Sequence, residues 1–276
     1  LADELRSSRA AVIQRLKRAL LKMENNQNNW LNYILHLADT SLILGQRLCE
    51  WCGKGPVLEQ DIAMSNIALD LLGESSNYYQ YAAEIQNEGK AEDDLAFLRN
   101  EREFRNLLLV ERENGHFGDT IARQFFFDVY HHQLLTELKH HSDLKLASIA
   151  EKSLKEVTYH LKWSSEWMIR LGDGTDESHN KIQKSVESII DFTDEMFIPT
   201  NWELSLIEEG KIPDIRTFRT KWEPKVLEIL NEATLSVDVS KSRQLKGGKD
   251  GKHTEKMGYI LAEMQMMQRS YPNMEW

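Results

Sequence analysis

Between Val57 and Ile198 the chain contains no proline, and this constrains its fold more than any other feature. Proline removes a backbone donor and clashes with the preceding helical turn, so its absence permits long, unbroken helices. Glycines stand where breaks are needed. Gly89, Gly115, Gly118, Gly172 and Gly174 divide the span into segments near 57–88, 93–112, 117–141, 143–171 and 177–197. Each carries apolar residues at helical spacing, as in Leu144, Leu146, Ile149, Leu154, Val157, Leu161 and Trp167. Further helices are expected over 29–51, 214–234 and 255–270. With no alternating strand pattern and no internal repeat, the expectation is an all-α helical bundle.

A chain of 276 residues that is 41% hydrophobic can bury a substantial core. Its formal charge of -10, from 44 acidic and 34 basic residues, argues against a sequence-independent grip on nucleic acid phosphates. No apolar run approaches the length of a membrane span, so a cytoplasmic location is expected. The first 29 residues form a basic, amphipathic stretch that carries Asp3, Glu4 and Glu24 and lacks an apolar signal-peptide core. They are expected to be a helical extension ahead of a single domain over 30–276. Cys49 and Cys52 form a CxxC string, but without a βαβ context or two further zinc ligands they read as reduced thiols at a helix end. GGKDGK, residues 247–252, lacks the spacing of a phosphate-binding loop and reads as a flexible turn.

Within otherwise apolar helix faces stand Asp39, Asp70, Asp128 and Glu156, the last followed by His160. Buried carboxylates are costly unless paired, hydrogen-bonded or metal-bound, so four of them require a common account. Di-iron carboxylate bundles offer one: a Glu from each of two helices and a Glu-x-x-His from each of two others. Asp39 and Asp70 lie 31 residues apart and Asp128 and Glu156 lie 28 apart, each about a helix and a turn. The histidines are missing, however. Asp70 is followed at i+3 by Gly73 and Glu156 by Tyr159, while His160 is turned about 100° further around its helix. The alternative is that these acids are satisfied by hydrogen bonds to Arg, Tyr or His. The pairs His131-His132 and His140-His141 read as solvated or capping residues.

LADTSLILGQRLCEWCGKGPVLEQDIAMSNIALDLLG, LLLVERENGHFGDTIARQFFFDVYHHQLL, KEVTYHLKWSSEWMIRLGDGTDESHNKIQ and HTEKMGYILAEMQMMQRSYP resemble the PaaC subunits of bacterial phenylacetyl-CoA epoxidases. The likeness covers about residues 30–276. It implies a ferritin-like helical bundle with additional C-terminal helices and a place in aerobic phenylacetate breakdown. It also implies a non-catalytic, structural role without metal or cofactor in this chain, beside a PaaA-like catalytic subunit that holds the di-iron centre. A flavin/iron-sulfur reductase would supply electrons, and the chain alone would form a homodimer. On this view Asp39, Asp70, Gly73, Asp128, Glu156, Tyr159 and His160 are vestigial metal-site positions. Arg99, Arg102, Glu103, Phe104, Arg105 and Asn106 are candidates for acyl-CoA contact, the arginines facing phosphates. The competing account of that stretch is intrahelical pairing of Glu101 with Arg105 at i, i+4. An independent di-iron oxygenase and a ferritin-like iron-binding protein remain as alternatives.

Overall fold

The computed structural model describes residues 27–238, 242–271 and 274. The expected extension lies, up to residue 26, outside the described residues. The 29/30 boundary falls inside a helix, because α1 already runs through 27–49. It is followed by α2 (Leu58–Gln86), α3 (Glu92–Phe97), α4 (Phe117–Leu138), α5 (Leu144–Gly172) and α6 (Asp176–Ile189). The C-terminal part adds α7 (Asn201–Glu208), α8 (Arg219–Glu232), α9 (Glu255–Met264) and α10 (Met266–Ser270). Among the described residues there is no strand, and no helix is long and apolar enough to cross a membrane.

The long helices α1, α2, α4 and α5 form the bundle. α1 is buried on every side over 33–45 and α4 over 120–131, the pattern of helices enclosed by neighbours. α5 packs along α4, with α2 against α5 and α6 and α8 closing the α4 side. Caps set several boundaries. Asp143 accepts from the amides of Lys145 and Leu146 at the start of α5, and Thr200 with Glu203 makes a capping box for α7. α7 was not expected from the sequence, although Thr200-x-x-Glu203 directly after Pro199 is its signature.

One expected helix does not form. Over 93–112 the chain makes only α3, then an irregular arch with 3₁₀ turns at Glu101–Glu103 and Leu108–Glu111. Long-range side chains hold its backbone in place of helix bonds. Asp39 accepts from the Arg105 amide at 2.7 Å, Glu195 from the Leu108 amide at 2.7 Å, and His36 bonds the Arg105 carbonyl at 2.7 Å. Gln265, at the break between α9 and α10, donates to the Ala96 and Arg99 carbonyls. The arch is thus satisfied without being helical.

The 247–252 string is not a flexible turn either. It belongs to a strap, residues 242–254, laid over the arch. Gly248 and Lys249 are buried, and a Cβ at Gly248 would collide with the Asn106 carbonyl oxygen. Gly251, at φ 75°, would drive its Cβ into the Arg102 carbonyl oxygen. Only glycine allows this approach at both positions.

Candidate functional site

The polar groups expected to share one site occupy two. In the first, between α2, α4 and α5, α2 presents Asp70 and, one turn later, Glu74. α4 presents Asp128 and His131, and α5 presents Glu156 and His160. His131 Nε2 lies 3.0 Å from Glu74 Oε1, and His160 Nε2 lies 3.0 Å from Asp70 Oδ2. Asp128 accepts from Gln124 Nε2 at 2.7 Å and from Ser164 Oγ at 2.8 Å. The side chains therefore fasten α2 to α4, α2 to α5, and α4 to α5.

The expected frame is corrected in detail. Gly73 is exposed, and a Cβ there would meet nothing within 4 Å. Tyr159 is 51% exposed. Neither position faces the bundle interior, so neither is the slot of a lost ligand. Asp70 sits at the rim with its side chain 35% exposed. The inward step along α2 is therefore to i+4, at Glu74, rather than to i+3. A carboxylate-x-x-His pair does occur, on α4, as Asp128 and His131, both buried. Sequence reasoning missed Glu74 and His131, although DVYH in FFFDVYHH carried the spacing. His131 is thus a core residue, not the solvated one expected.

The chemistry of this cluster is internal pairing. A di-iron centre needs carboxylates and imidazoles converging on one point. Here both imidazoles already commit Nε2 to carboxylates of α2. Among the described residues no group of three or more His, Cys, Asp or Glu is placed to hold a metal ion. As arranged, these donors do not converge on a metal, while the buried Nδ1 atoms of His131 and His160 have no hydrogen-bond partner. Burial pushes the Asp128 carboxyl up to about 6, against the opposing influence of His160 and the Ser164 and Gln124 bonds. Glu156 is raised by partial burial and by the neighbouring Asp70.

Asp128 gives a signed pH prediction. Its value in the fold exceeds that of the unfolded chain, so its contribution to stability falls as pH rises from about 4 to about 6 and is level above. Asp128→Asn retains hydrogen-bonding capacity and lacks that titration. Relative to wild type it should therefore gain about 2.5 kcal/mol between pH 4 and pH 7. Parallel urea titrations at the two pH values measure this, and a constant difference would exclude a buried, proton-holding Asp128.

Asp39 belongs to the second site, on the arch. Its fully buried carboxylate accepts from Tyr79 Oη at 2.5 Å, from Arg99 Nη1 at 3.1 Å, from Arg99 Nη2 and from the Arg105 amide. Arg99 also donates to the Leu95 and Glu103 carbonyls and stacks over Phe104 at 4.2 Å. Burial opposes the guanidinium charge, yet Asp39 and Tyr79 raise its pKa above the ordinary value. Asp39 is therefore a satisfied buried acid.

The six acyl-CoA candidates divide by depth. Phe104 and Asn106 are fully buried, Asn106 donating to Glu111 at 2.9 Å, and Arg99 is engaged as above. Arg102 and Glu103 are exposed and Arg105 is half-buried. The Arg105 guanidinium donates to the Arg102 and Phe104 carbonyls, because no helix exists here for pairing with Glu101. A cavity of about 430 Å³ opens beside the arch, lined by Asn32, Leu35, Lys90, Asp94, Arg99 and Arg105 among others.

The strap brings buried charges that the sequence did not disclose. Glu111 accepts from His253 Nδ1 at 2.7 Å and from Thr254 N and Oγ1 at 2.8 and 2.6 Å. Lys249 Nζ donates to Glu203 at 2.7 Å and to the Ile198 carbonyl at 2.8 Å. Cys49 is half-buried and Cys52 exposed, both as free thiols. Burial, with Cys52 and Glu50 nearby, raises the Cys49 pKa, which makes it a poor nucleophile at neutral pH.

Fold and core together define a ferritin-like helical bundle whose central imidazoles are paired with acids of α2, with a polar arch on its flank. The chain belongs to the PaaA_PaaC family of phenylacetic acid catabolic proteins, whose model matches residues 16–276. It is similar to the C component of the 1,2-phenylacetyl-CoA epoxidase of Escherichia coli (strain K12). The two are 49% identical over 249 residues, which is 90% of this chain and 100% of the relative.

Proposed function

We propose that this chain is the non-catalytic, PaaC-type component of a phenylacetyl-CoA-epoxidising monooxygenase, working in the cytoplasm in aerobic phenylacetate catabolism. It pairs with a PaaA-like subunit that carries the di-iron centre, and a flavin/iron-sulfur reductase supplies electrons to the assembly. Identity of 49% across the full length of the epoxidase component carries this reading. The pairing of both core imidazoles with α2 carboxylates supports it, because among the described residues no three acids or imidazoles converge on one point as a di-iron centre needs. Apolar side chains left exposed along α2, Leu58, Ile62 and Leu69, suit a protein that works beside a partner. On the arch, Arg102 and Arg105 meet the anionic part of the acyl-CoA.

Co-expression with a PaaA-like subunit tests the assignment. One mixed complex is expected, with iron confined to the sister chain, while this chain purified alone from iron-replete cells carries no stoichiometric iron. About two irons per isolated chain would overturn the non-catalytic reading, and two independent species at micromolar concentration would overturn the partnership.

A further inference from the structure

His253 lies between two acceptors contributed by different parts of the arch. Its Nδ1 is 2.7 Å from Glu111 Oε1 and its Nε2 is 3.1 Å from the Phe104 carbonyl oxygen. The Phe104 carbonyl can only accept, and Glu111 already accepts from Asn106 Nδ2 and from Thr254 N and Oγ1, so both ring nitrogens donate and the ring is an imidazolium. The side chain is fully buried, so no water takes over if one bond is lost. Phe104 immediately precedes Arg105, whose amide is held by Asp39 and whose carbonyl is held by His36 from the opposite, α1 side. The Arg102 carbonyl, in turn, touches the strap at Gly251. The backbone that carries Arg102 and Arg105 is therefore gripped between α1 and the strap, and His253 is the grip on the strap side.

We propose that His253 is a positioning residue for substrate binding: as an imidazolium it locks the strap to the Phe104 carbonyl and so fixes the geometry in which Arg102 and Arg105 meet an acyl-CoA phosphate. The proposal rests on the assignment of the arch to acyl-CoA contact above. Loss of the proton leaves one donor for two acceptors, and Glu111, as the charged one, keeps it. The Phe104 carbonyl then keeps only the Arg105 guanidinium as a donor, and the strap loses its hold on the arch at the residue next to Arg105. Two acids favour the cation, and the Arg105 guanidinium, which donates to the same Phe104 carbonyl, opposes it. Glu111 faces the ring directly and Asp39 acts from α1, while Arg47 of α1 is ion-paired with Glu50. Burial works against the cation, but Glu111 and the Phe104 carbonyl outweigh it, and the His253 pKa is raised. The lock is therefore complete below about pH 6.5 and is lost as pH rises through the higher value in the fold.

The test uses the reconstituted complex with its PaaA-like partner and reductase, with phenylacetyl-CoA as substrate. His253→Gln keeps a donor toward only one acceptor, and its KM should rise about tenfold, the equivalent of one charge-assisted hydrogen bond, with kcat within about twofold of wild type. Wild-type KM should climb with pH as the imidazolium titrates, whereas KM of the variant should not. Arg102→Ala/Arg105→Ala separates the possible failures. If that double variant raises KM but an assembled His253→Gln does not, the positioning role is overturned while the arch keeps its ligand. If neither moves KM, the acyl-CoA assignment falls and the positioning role falls with it. Should His253→Gln fail to assemble, a wild-type KM that is flat across the titration overturns the proposal.

Discussion

Asp39→Ala should destabilise the chain by about 3–5 kcal/mol, the range seen when one partner of a buried ion pair is removed. The midpoint of thermal unfolding should fall by roughly 10 °C for a chain of this size. The cost arises because Arg99 stays buried with its charge uncompensated, while the Tyr79 hydroxyl and the Arg105 amide lose their acceptor. Asp39→Asn should cost nearly as much. All the partners of the carboxylate are donors, and an amide nitrogen would face one of them. Asp128 gives the contrast, since Ser164 can rotate its hydroxyl to suit an amide. Chemical denaturation of the three proteins measures the difference. A loss below about 1 kcal/mol for Asp39→Ala would mean that water from the adjoining cavity hydrates Arg99, and the anchor would then be dispensable.

The long helices were legible because their signal is local. Apolar periodicity, absent proline and glycine at the breaks fixed α2, α4 and α5 to within a few residues of their observed ends. The arch was not legible, for a physical reason. Phe104, Leu107 and Leu108 are buried at i, i+3 and i+4, spacings that suit a helix, so the local pattern is the same either way. What decides against the helix is the acceptance of its amides and donation to its carbonyls by residues far along the chain, such as Glu195, 87 positions from Leu108, and His253, 149 positions from Phe104. No window of sequence contains those partners. Lys249 was hidden differently. A lysine among glycines looks solvated, and its burial follows from a backbone approach that only the folded chain displays.

The core acids show what polarity in an apolar face can reveal. Asp39 and Asp128 were correctly marked as buried, because nothing else accounts for an acid within LHLADTSLIL or FFFDVYHH. Their partners were legible only by type, as Arg, Tyr or His, which Arg99 and Tyr79 match at Asp39, whereas Gln124 and Ser164 hold Asp128. Asp70 misled the frame. As a rim residue it shifted the expected inward step by one position, from Glu74 to Gly73, which on a helix of 3.6 residues per turn is enough to exchange a buried side for an exposed one.

The Lys249–Glu203 pair should give the other large effect, and its sign depends on how many partners are removed. Both side chains are 2% exposed, and both charges sit where the strap meets α7. Lys249→Met is expected to cost about 3–5 kcal/mol, because Glu203 then stays buried and charged and the Ile198 carbonyl loses its donor. Lys249→Met/Glu203→Leu should recover to within about 1–2 kcal/mol of wild type. Apolar side chains of similar volume avoid the desolvation of both ions, and the remaining loss is the donor to the Ile198 carbonyl and the α7 capping bond from the Thr200 amide to Glu203. Denaturation of all four corners of the cycle yields the coupling, and amide exchange over 245–254 shows whether the strap opens in the single variant but not in the double. If the single variant costs no more than the double, the pair is reached by solvent through the cavity of about 250 Å³ that Lys246 and Lys252 line. The strap would then be held by the glycine contacts and by Glu111 rather than by this buried charge.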